Sequence, residues 1–286
     1  MRLLAFAPAK VNLYLHVIGR RADGYHLLDG LVAFADVGDR LEARPGERLE
    51  LVVEGPQAAS LEASSEDNLV ARAARALAAH GGIAPRARLL LEKNLPVASG
   101  LGGGSSDAAA ALTLLARLWR LSIGEKALAA VGATLGADVP ACLYGRPVWV
   151  GGIGEQLAPA PGLPEAGILL ANPGIPLPTA AVYAARTGPF SAPGRFQPMP
   201  QDAVSLAERL KSRRNDLAEA ATRLLPEIGA VLSRLGALEG ALLARMSGSG
   251  ASCFALFEAR AAAERARLAL ARLEPSWWCA AGSLVP

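Results

Sequence analysis

Apolar and polar residues alternate along residues 11–17, where Val11, Leu13, Leu15 and Val17 interleave with Asn12, Tyr14 and His16. That period of two is the pattern of a strand with one buried face, and parity puts Lys10, Asn12, Tyr14 and His16 together on the opposite face. Asp23-Gly24 signals a turn, and residues 27–34 and 49–53 read as further strands. A helix is expected from a cap at Asp67-Asn68 to about His80, closed by Gly81-Gly82. Residues 88–91 form a short strand leading into a glycine-rich stretch, and a helix follows over 108–119. In that helix Thr113, Arg117 and Arg120 recur at i, i+4 and i+7, a narrow wet stripe on an otherwise buried cylinder. Residues 158–164 and 187–200 are rich in Pro and Gly and read as irregular. Beyond them come helices with Arg and Glu on their outer faces and a hairpin over 242–257 that turns at Ser247-Gly248-Ser249-Gly250. A helix over 259–273 and a short last strand complete the chain. A domain boundary is expected near residue 158, dividing the chain into 1–158 and 159–286.

Composition narrows the class. A chain of 286 residues holds one large or two modest domains and buries a sizeable core. Hydrophobic residues make up 52% of it, yet every apolar run is broken well short of the roughly 20 residues a membrane helix needs. The N-terminus enters a strand directly, without the order of regions found in a signal peptide. Cys142, Cys253 and Cys279 are far apart, odd in number and without metal-ligand spacing, so they read as buried thiols of a cytoplasmic protein. The net charge of +3, from 29 basic and 26 acidic residues, is too balanced for a nucleic-acid surface and suits an anionic small ligand.

The stretch Ala98-Ser99-Gly100-Leu101-Gly102-Gly103-Gly104-Ser105-Ser106-Asp107 carries the strongest chemical signal. A dinucleotide fingerprint needs a third glycine where Ser105 stands and an acid about 20 residues on, and neither is present. A Walker A loop needs a lysine directly after its glycines, and none follows. What fits is the general case: N–H groups at a helix start, aided by the helix dipole, bind an anion. The alternative is a capped helix packed closely on a sheet through glycine and alanine.

Residues 96–109 closely resemble the phosphate loop of the GHMP kinases. Five further segments agree, in order: Ala7-Pro8-Ala9-Lys10-Val11-Asn12-Leu13, Arg21-Ala22-Asp23-Gly24-Tyr25-His26, Leu135-Gly136-Ala137-Asp138-Val139-Pro140, Asn215-Asp216-Leu217 and Met246-Ser247-Gly248-Ser249-Gly250-Ala251. Gly151-Gly152-Ile153-Gly154-Glu155 is similar to another family segment. The triple glycine before Ser-Ser-Asp is the form of the branch whose acceptor carries a cytidine diphosphate. The resemblance implies an α+β fold of two domains. The N-terminal one would be like domain 2 of ribosomal protein S5, the C-terminal one ferredoxin-like, with the active site in the cleft between them.

The same resemblance implies an ATP-dependent small-molecule kinase with roles for particular residues. Pro96, Ala98, Gly100, Leu101, Gly102, Gly103, Gly104, Ser105 and Ser106 would hold the ATP phosphates. Magnesium is expected on those phosphates, with Ser106 as its protein contact. Asp138 corresponds to the base that activates the acceptor hydroxyl, although as a lone residue before Val139-Pro140 it reads first as a helix cap. Lys10 would pair with Asp138 and steady the reacting oxygen. Tyr25 would stack on the cytosine and His26 would read its edge. Tyr183 would cover the other face of the ring, with Asn12 and Thr179 also at the substrate. Ser249 and Gly250 would bring backbone to the cleft mouth. No nucleic-acid or membrane partner is expected, and a monomer or weak homodimer is. A catalytically silent nucleotide-binding regulator and a dehydrogenase are the readings left from other classes.

Overall fold

The computed structural model describes residues 2–61 and 67–285. The chain folds into two compact units, one built from residues 1–9, 38–97 and 102–145, the other from 10–37, 98–101 and 146–286. The units are interleaved along the chain, whereas a division near residue 158 is linear. The reason lies in two long paired strands, β1 (Leu3–Arg20) and β2 (His26–Arg44), which contribute to both units.

In the first unit, β3 (Leu49–Glu54) runs parallel to β4 (Ala87–Glu92), and β4 pairs antiparallel with the far half of β2, Arg40 opposite Glu92. Between β3 and β4 the chain forms α1 (Leu69–His80), whose first turn is capped by the Asn68 side chain accepting from the Val70 N–H at 2.9 Å. Gly81 is its C-cap in right-handed backbone, and Gly82 follows at a φ of 63°, the left-handed conformation that glycine favours after a helix. The helices α2 (Gly103–Leu118), α3 (Glu125–Ala133) and α4 (Val139–Tyr144) follow. The helix expected over 108–119 therefore starts five residues earlier, inside the glycine run. Thr113 and Arg117 lie on its exposed face, but Arg120 falls beyond its end at a positive φ of 53°.

A buried ion cluster anchors α2 in this unit. The Lys93 ammonium bonds Asp39 and, at 2.9 Å, Asp107 in the second turn of the helix. Asp39 also accepts the N–H groups of Asn94 and Leu95, at 2.5 and 2.8 Å. Asp107 has one buried carboxylate oxygen without a partner. Burial pushes its carboxyl upwards, against the pull of Lys93. A cluster of this kind specifies geometry more than it adds stability, because three charges have left water.

The second unit holds β5 (Val148–Gly151), β6 (Gln156–Pro159), β7 (Gly167–Asn172), α5 (Thr179–Ala185), α6 (Ala203–Lys211), α7 (Ala218–Leu224), α8 (Glu227–Gly236), β8 (Leu243–Met246), β9 (Cys253–Phe257), α9 (Arg260–Leu273) and β10 (Trp278–Val285). Antiparallel pairing orders the strands β2, β10, β7, β9, β8, while β5 pairs with β2 and with β6. The expected hairpin is β8–β9, with Met246 opposite Cys253. One apolar core runs through the unit, joining Leu15, Val17, Leu169, Val182, Ile228, Val231, Phe257 and Leu270; the all-apolar inner positions of α8 and α9 supply its helical side.

One expectation is overturned here. Residues 9–17 of β1 are buried on both faces, so the polar face is covered. Residues 187–200 lie over it: Ser191 N–H donates to the Val17 carbonyl at 2.9 Å, and a Cβ on Gly194 would come within 2.9 Å of Tyr14 and 2.8 Å of His16. The covered polar groups are paired, as burial demands. Tyr14 Oη donates to Asp29 at 2.9 Å, and His16 Nδ1 lies 2.9 Å from the Ala192 carbonyl. Asp29 in turn accepts the Gly194 N–H at 2.6 Å and the Arg195 guanidinium at 3.3 Å.

Candidate active site

The glycine stretch divides at Gly102. Upstream, Ala98, Gly100 and Gly102 all take left-handed backbone, with φ of 51°, 78° and 61°. Gly100 must be glycine for a second reason: a Cβ there would lie 2.5 Å from the Ser247 carbonyl oxygen and 2.8 Å from that of Gly250. Downstream, Gly102 is the N-cap of α2 and has no side chain with which to cap it. The first-turn N–H groups are thus left for another acceptor, at the positive end of a 16-residue helix. Ser105 and Ser106 occupy the third and fourth positions of that helix; Ser106 is buried and Gly104 exposed. Pro96 precedes the stretch and is buried.

Lys10 sits beside the upstream part. Its N–H donates to the Leu101 carbonyl at 2.8 Å, and its ammonium donates to Asn12 Oδ1 at 3.1 Å. Both side chains are nearly buried, at 5% and 4% exposure. The Asn12 N–H donates to the Ser247 hydroxyl at 3.1 Å, which donates to the Gly100 carbonyl at 2.9 Å. Asn215 braces the same turn, donating from its amide to the carbonyls of Met246 and Gly248 at 2.9 and 2.7 Å. Ser249 and Gly250 are buried within this arrangement, and Ser249 Oγ lies 2.7 Å from Thr179 Oγ1.

A cavity of about 690 Å³ opens in the second unit, lined by Arg20, Tyr25, His26, Thr179, Tyr183 and Arg186 among others. Four residues expected at the substrate, Tyr25, His26, Thr179 and Tyr183, are therefore brought together. The Asp23-Gly24 turn presents the first pair: Gly24 N–H bonds the Arg21 carbonyl at 3.0 Å and Arg21 N–H bonds the Tyr25 carbonyl at 2.8 Å. The second pair is carried by α5, which begins at Thr179. His26 stacks on Tyr183, while Tyr25 is 60% exposed. Burial, then the guanidinium charges of Arg20 and Arg186, hold the His26 imidazole below its usual pKa. The ring is kept neutral, with one donor and one acceptor nitrogen.

Asp138 belongs to the first unit, half-buried at the N-cap position of α4, with Pro140 just inside the helix. Its side chain makes no capping hydrogen bond to α4. Several polar residues of the cavity and the interior were not foreseen from sequence. Arg20 and Arg186 lie outside any glycine or aspartate motif. Lys93 and Asp39 are 54 positions apart in sequence, and no local spacing links them. Arg245 is buried and donates only to carbonyls, those of Leu13, Leu210 and Arg213 at 2.6, 2.8 and 2.6 Å; burial lowers its pKa to about 10.

Known proteins resemble the chain over its whole length. The GHMP kinases N terminal domain matches residues 68–146 and the GHMP kinases C terminal domain residues 200–275. The chain is 52% identical over 279 residues to the 4-diphosphocytidyl-2-C-methyl-D-erythritol kinase of Rhodospirillum rubrum, covering 98% of this chain and 91% of that protein. It is 53% identical over 291 residues to a protein of the same name from Cereibacter sphaeroides, covering 98% and 99%. The crystal structure of a 4-(cytidine 5'-diphospho)-2C-methyl-D-erythritol kinase aligns with a TM-score of 0.79 at 37% identity, over 99% of this chain and 100% of that one. Homoserine kinase from Cytophaga hutchinsonii aligns with a TM-score of 0.70 at 18% identity, over 98% and 94%, a likeness of fold alone.

Proposed function

Since the chain belongs to the 4-diphosphocytidyl-2-C-methyl-D-erythritol kinases, ATP-dependent enzymes of the α+β GHMP kinase family, we propose that it transfers the γ-phosphoryl group of ATP to the 2-hydroxyl of 4-diphosphocytidyl-2-C-methyl-D-erythritol. The products are the 2-phosphate and ADP, a step towards isoprenoid precursors. The observation that carries the acceptor is the cavity shared by Tyr25, His26, Thr179 and Tyr183. A neutral imidazole matches the amino and carbonyl groups of cytosine, and two tyrosines supply flat faces for its ring. Stacking of this kind contributes roughly 1–3 kcal/mol per base.

Phosphoryl transfer asks for positioning, charge neutralisation and a proton acceptor. Residues 98–106 hold the ATP phosphates through backbone N–H groups and the α2 dipole. Asp138 accepts the proton of the attacking hydroxyl, and Lys10, aimed by Asn12, steadies the reacting oxygen. Ser249 and Gly250 close the acceptor side, Ser249 through its contact with Thr179. Among the described residues no cluster of three His, Cys, Asp or Glu could hold a metal. A Mg²⁺ ion would be carried by the triphosphate, and the hard hydroxyl oxygen of Ser106 is the protein ligand proposed for it. No described helix is long and apolar enough to cross a membrane. We place the enzyme in the cytoplasm as a monomer or weak homodimer with no nucleic-acid partner, and set the sequence boundary between its two family domains near residue 158.

The test is ADP release in a coupled assay, with 4-diphosphocytidyl-2-C-methyl-D-erythritol and homoserine as acceptors side by side. Turnover with the first alone is expected. Turnover with homoserine alone would reassign the acceptor, and NAD(P)H binding without ADP release would remove the kinase reading.

A further inference from the structure

Ser247 is fully buried at the end of β8, and its hydroxyl is used in both directions. It accepts the Asn12 N–H at 3.1 Å and donates to the Gly100 carbonyl at 2.9 Å. Asn12 is the residue whose Oδ1 receives the Lys10 ammonium, and Gly100 belongs to the upstream half of the glycine loop. A single side chain therefore ties the group that aims Lys10 to the backbone assigned to the phosphates.

The surroundings leave that hydroxyl little freedom. The Ser247 N–H is held by the Ser252 carbonyl and the Ser252 N–H by the Ser99 carbonyl, both at 2.9 Å. Gly250 N–H closes the turn onto the Ser247 carbonyl at 3.0 Å, and Asn215 fixes the carbonyls on either side of Ser247. The turn is thus rigid on its own account, which makes it a reference point rather than a follower. Removing the hydroxyl leaves these backbone bonds standing, the one from Ser252 to Ser99 included, but deletes the two side-chain links, one to β1 at Asn12 and one to the loop at Gly100.

We propose that Ser247 is a positioning residue for phosphoryl transfer, its hydroxyl setting the register between the Asn12–Lys10 pair and the phosphate loop at Gly100. The inference rests on the roles given above to Lys10 and to residues 98–106. It touches neither Tyr25, His26 nor Tyr183, so its effect falls on kcat and not on acceptor KM. Misplacement of catalytic groups by about 1 Å can cost on the order of 10²-fold in rate, and that sets the scale.

The experiment is a double-mutant cycle on the full chain, with kcat and both KM values measured for wild type, Ser247→Ala, Lys10→Met and the double variant. Ser247→Ala is expected to lose about 10- to 100-fold in kcat, with acceptor KM within about twofold. In the Lys10→Met background the same substitution is expected to cost far less, because groups acting as a unit are non-additive. Ser247→Thr, which keeps the hydroxyl, should recover most of the loss, and Ser247→Cys reads the same comparison if the alanine variant does not fold. Val231→Ala, a core truncation in α8, shows what lost stability alone does to kcat. A Ser247→Ala rate near wild type, or a loss that is additive with Lys10→Met or matched by Val231→Ala, overturns the proposal while leaving Lys10 in place. Undiminished turnover in Lys10→Met overturns both.

Discussion

The imidazole of His26 lies against the ring of Tyr183, with centroids 5.4 Å apart and planes 29° from parallel. The stack joins the segment after the Asp23-Gly24 turn to α5, so the recognition cavity is shaped by residues 157 positions apart (183 − 26) in one unit. On the function proposed above, base recognition there depends on a neutral ring.

The first prediction concerns pH. Burial, Arg20 and Arg186 lower the His26 pKa from the ordinary 6.5. The neutral ring is therefore fully present above that value and is lost only as pH falls below it. Acceptor KM should be flat from neutral pH down to about the ordinary histidine value and rise under it, while ATP KM stays level. Arg186→Met removes one opposing cation, raises the His26 pKa, and should move the rise in acceptor KM to higher pH. An unchanged KM profile in the variant would detach Arg186 from this role.

The buried Lys93 cluster predicts a stability effect with little ambiguity of sign. Lys93→Met strands the carboxylates of Asp39 and Asp107 in a dry site, and breaking such a pair costs roughly 3–5 kcal/mol. Chemical denaturation should show that loss, and adding Asp107→Leu should return part of it. Additive destabilisation in the double variant would mean that the two side chains do not act as a pair.

The glycine loop predicts opposite outcomes at two neighbouring positions. Gly100→Ala combines a φ of 78° with a clash 2.5 Å from the Ser247 carbonyl oxygen, so nucleotide affinity and Tm should both fall. Ala98 already bears the left-handed penalty of about 1–2 kcal/mol at a φ of 51°. Ala98→Gly should leave Tm level or raise it. Thermal unfolding of the two variants decides this.

Asp29 holds the cover over β1, through Tyr14, Gly194 and Arg195. Asp29→Asn removes the charge from these hydrogen bonds and presents a donor to at least one donor, at a cost of about 1–3 kcal/mol. Residues 187–200 should then become a site of rapid limited proteolysis. Wild-type resistance in the variant would assign the hold on this segment to other contacts.

Much of this could be read from the chain, and the reasons differ by element. The strand at 11–17, the capped α1 and the β8–β9 hairpin follow from local period and cap chemistry. The start of α2 did not, because a glycine run carries no periodicity, although Gly102 at a positive φ is what begins that helix. The polar side of β1 looked like an open face because Tyr14 and His16 are polar. It is closed by residues 187–200, where Ala192 lies 176 positions from His16, and the irregular composition of that segment gave no sign of what it covers. At the site, Tyr25, His26, Asp138 and the glycine loop stand in recognisable motifs. Ser247 also stands in such a motif, but its partners Asn12 and Gly100 are brought to it by the fold, and Lys93, Arg20 and Arg186 stand in none.

The proposed chemistry turns on Asp138 taking the proton of the acceptor hydroxyl. Its side chain occupies an N-cap position without capping α4, and a base within hydrogen-bond reach contributes about 10²–10⁴-fold. The most direct measurement is ADP release from 4-diphosphocytidyl-2-C-methyl-D-erythritol and ATP by Asp138→Asn, alongside ATP affinity and Tm of the same preparation. Turnover should fall by about 10²–10⁴-fold with affinity and Tm close to wild type. Near-wild-type turnover in the folded variant would contradict the account.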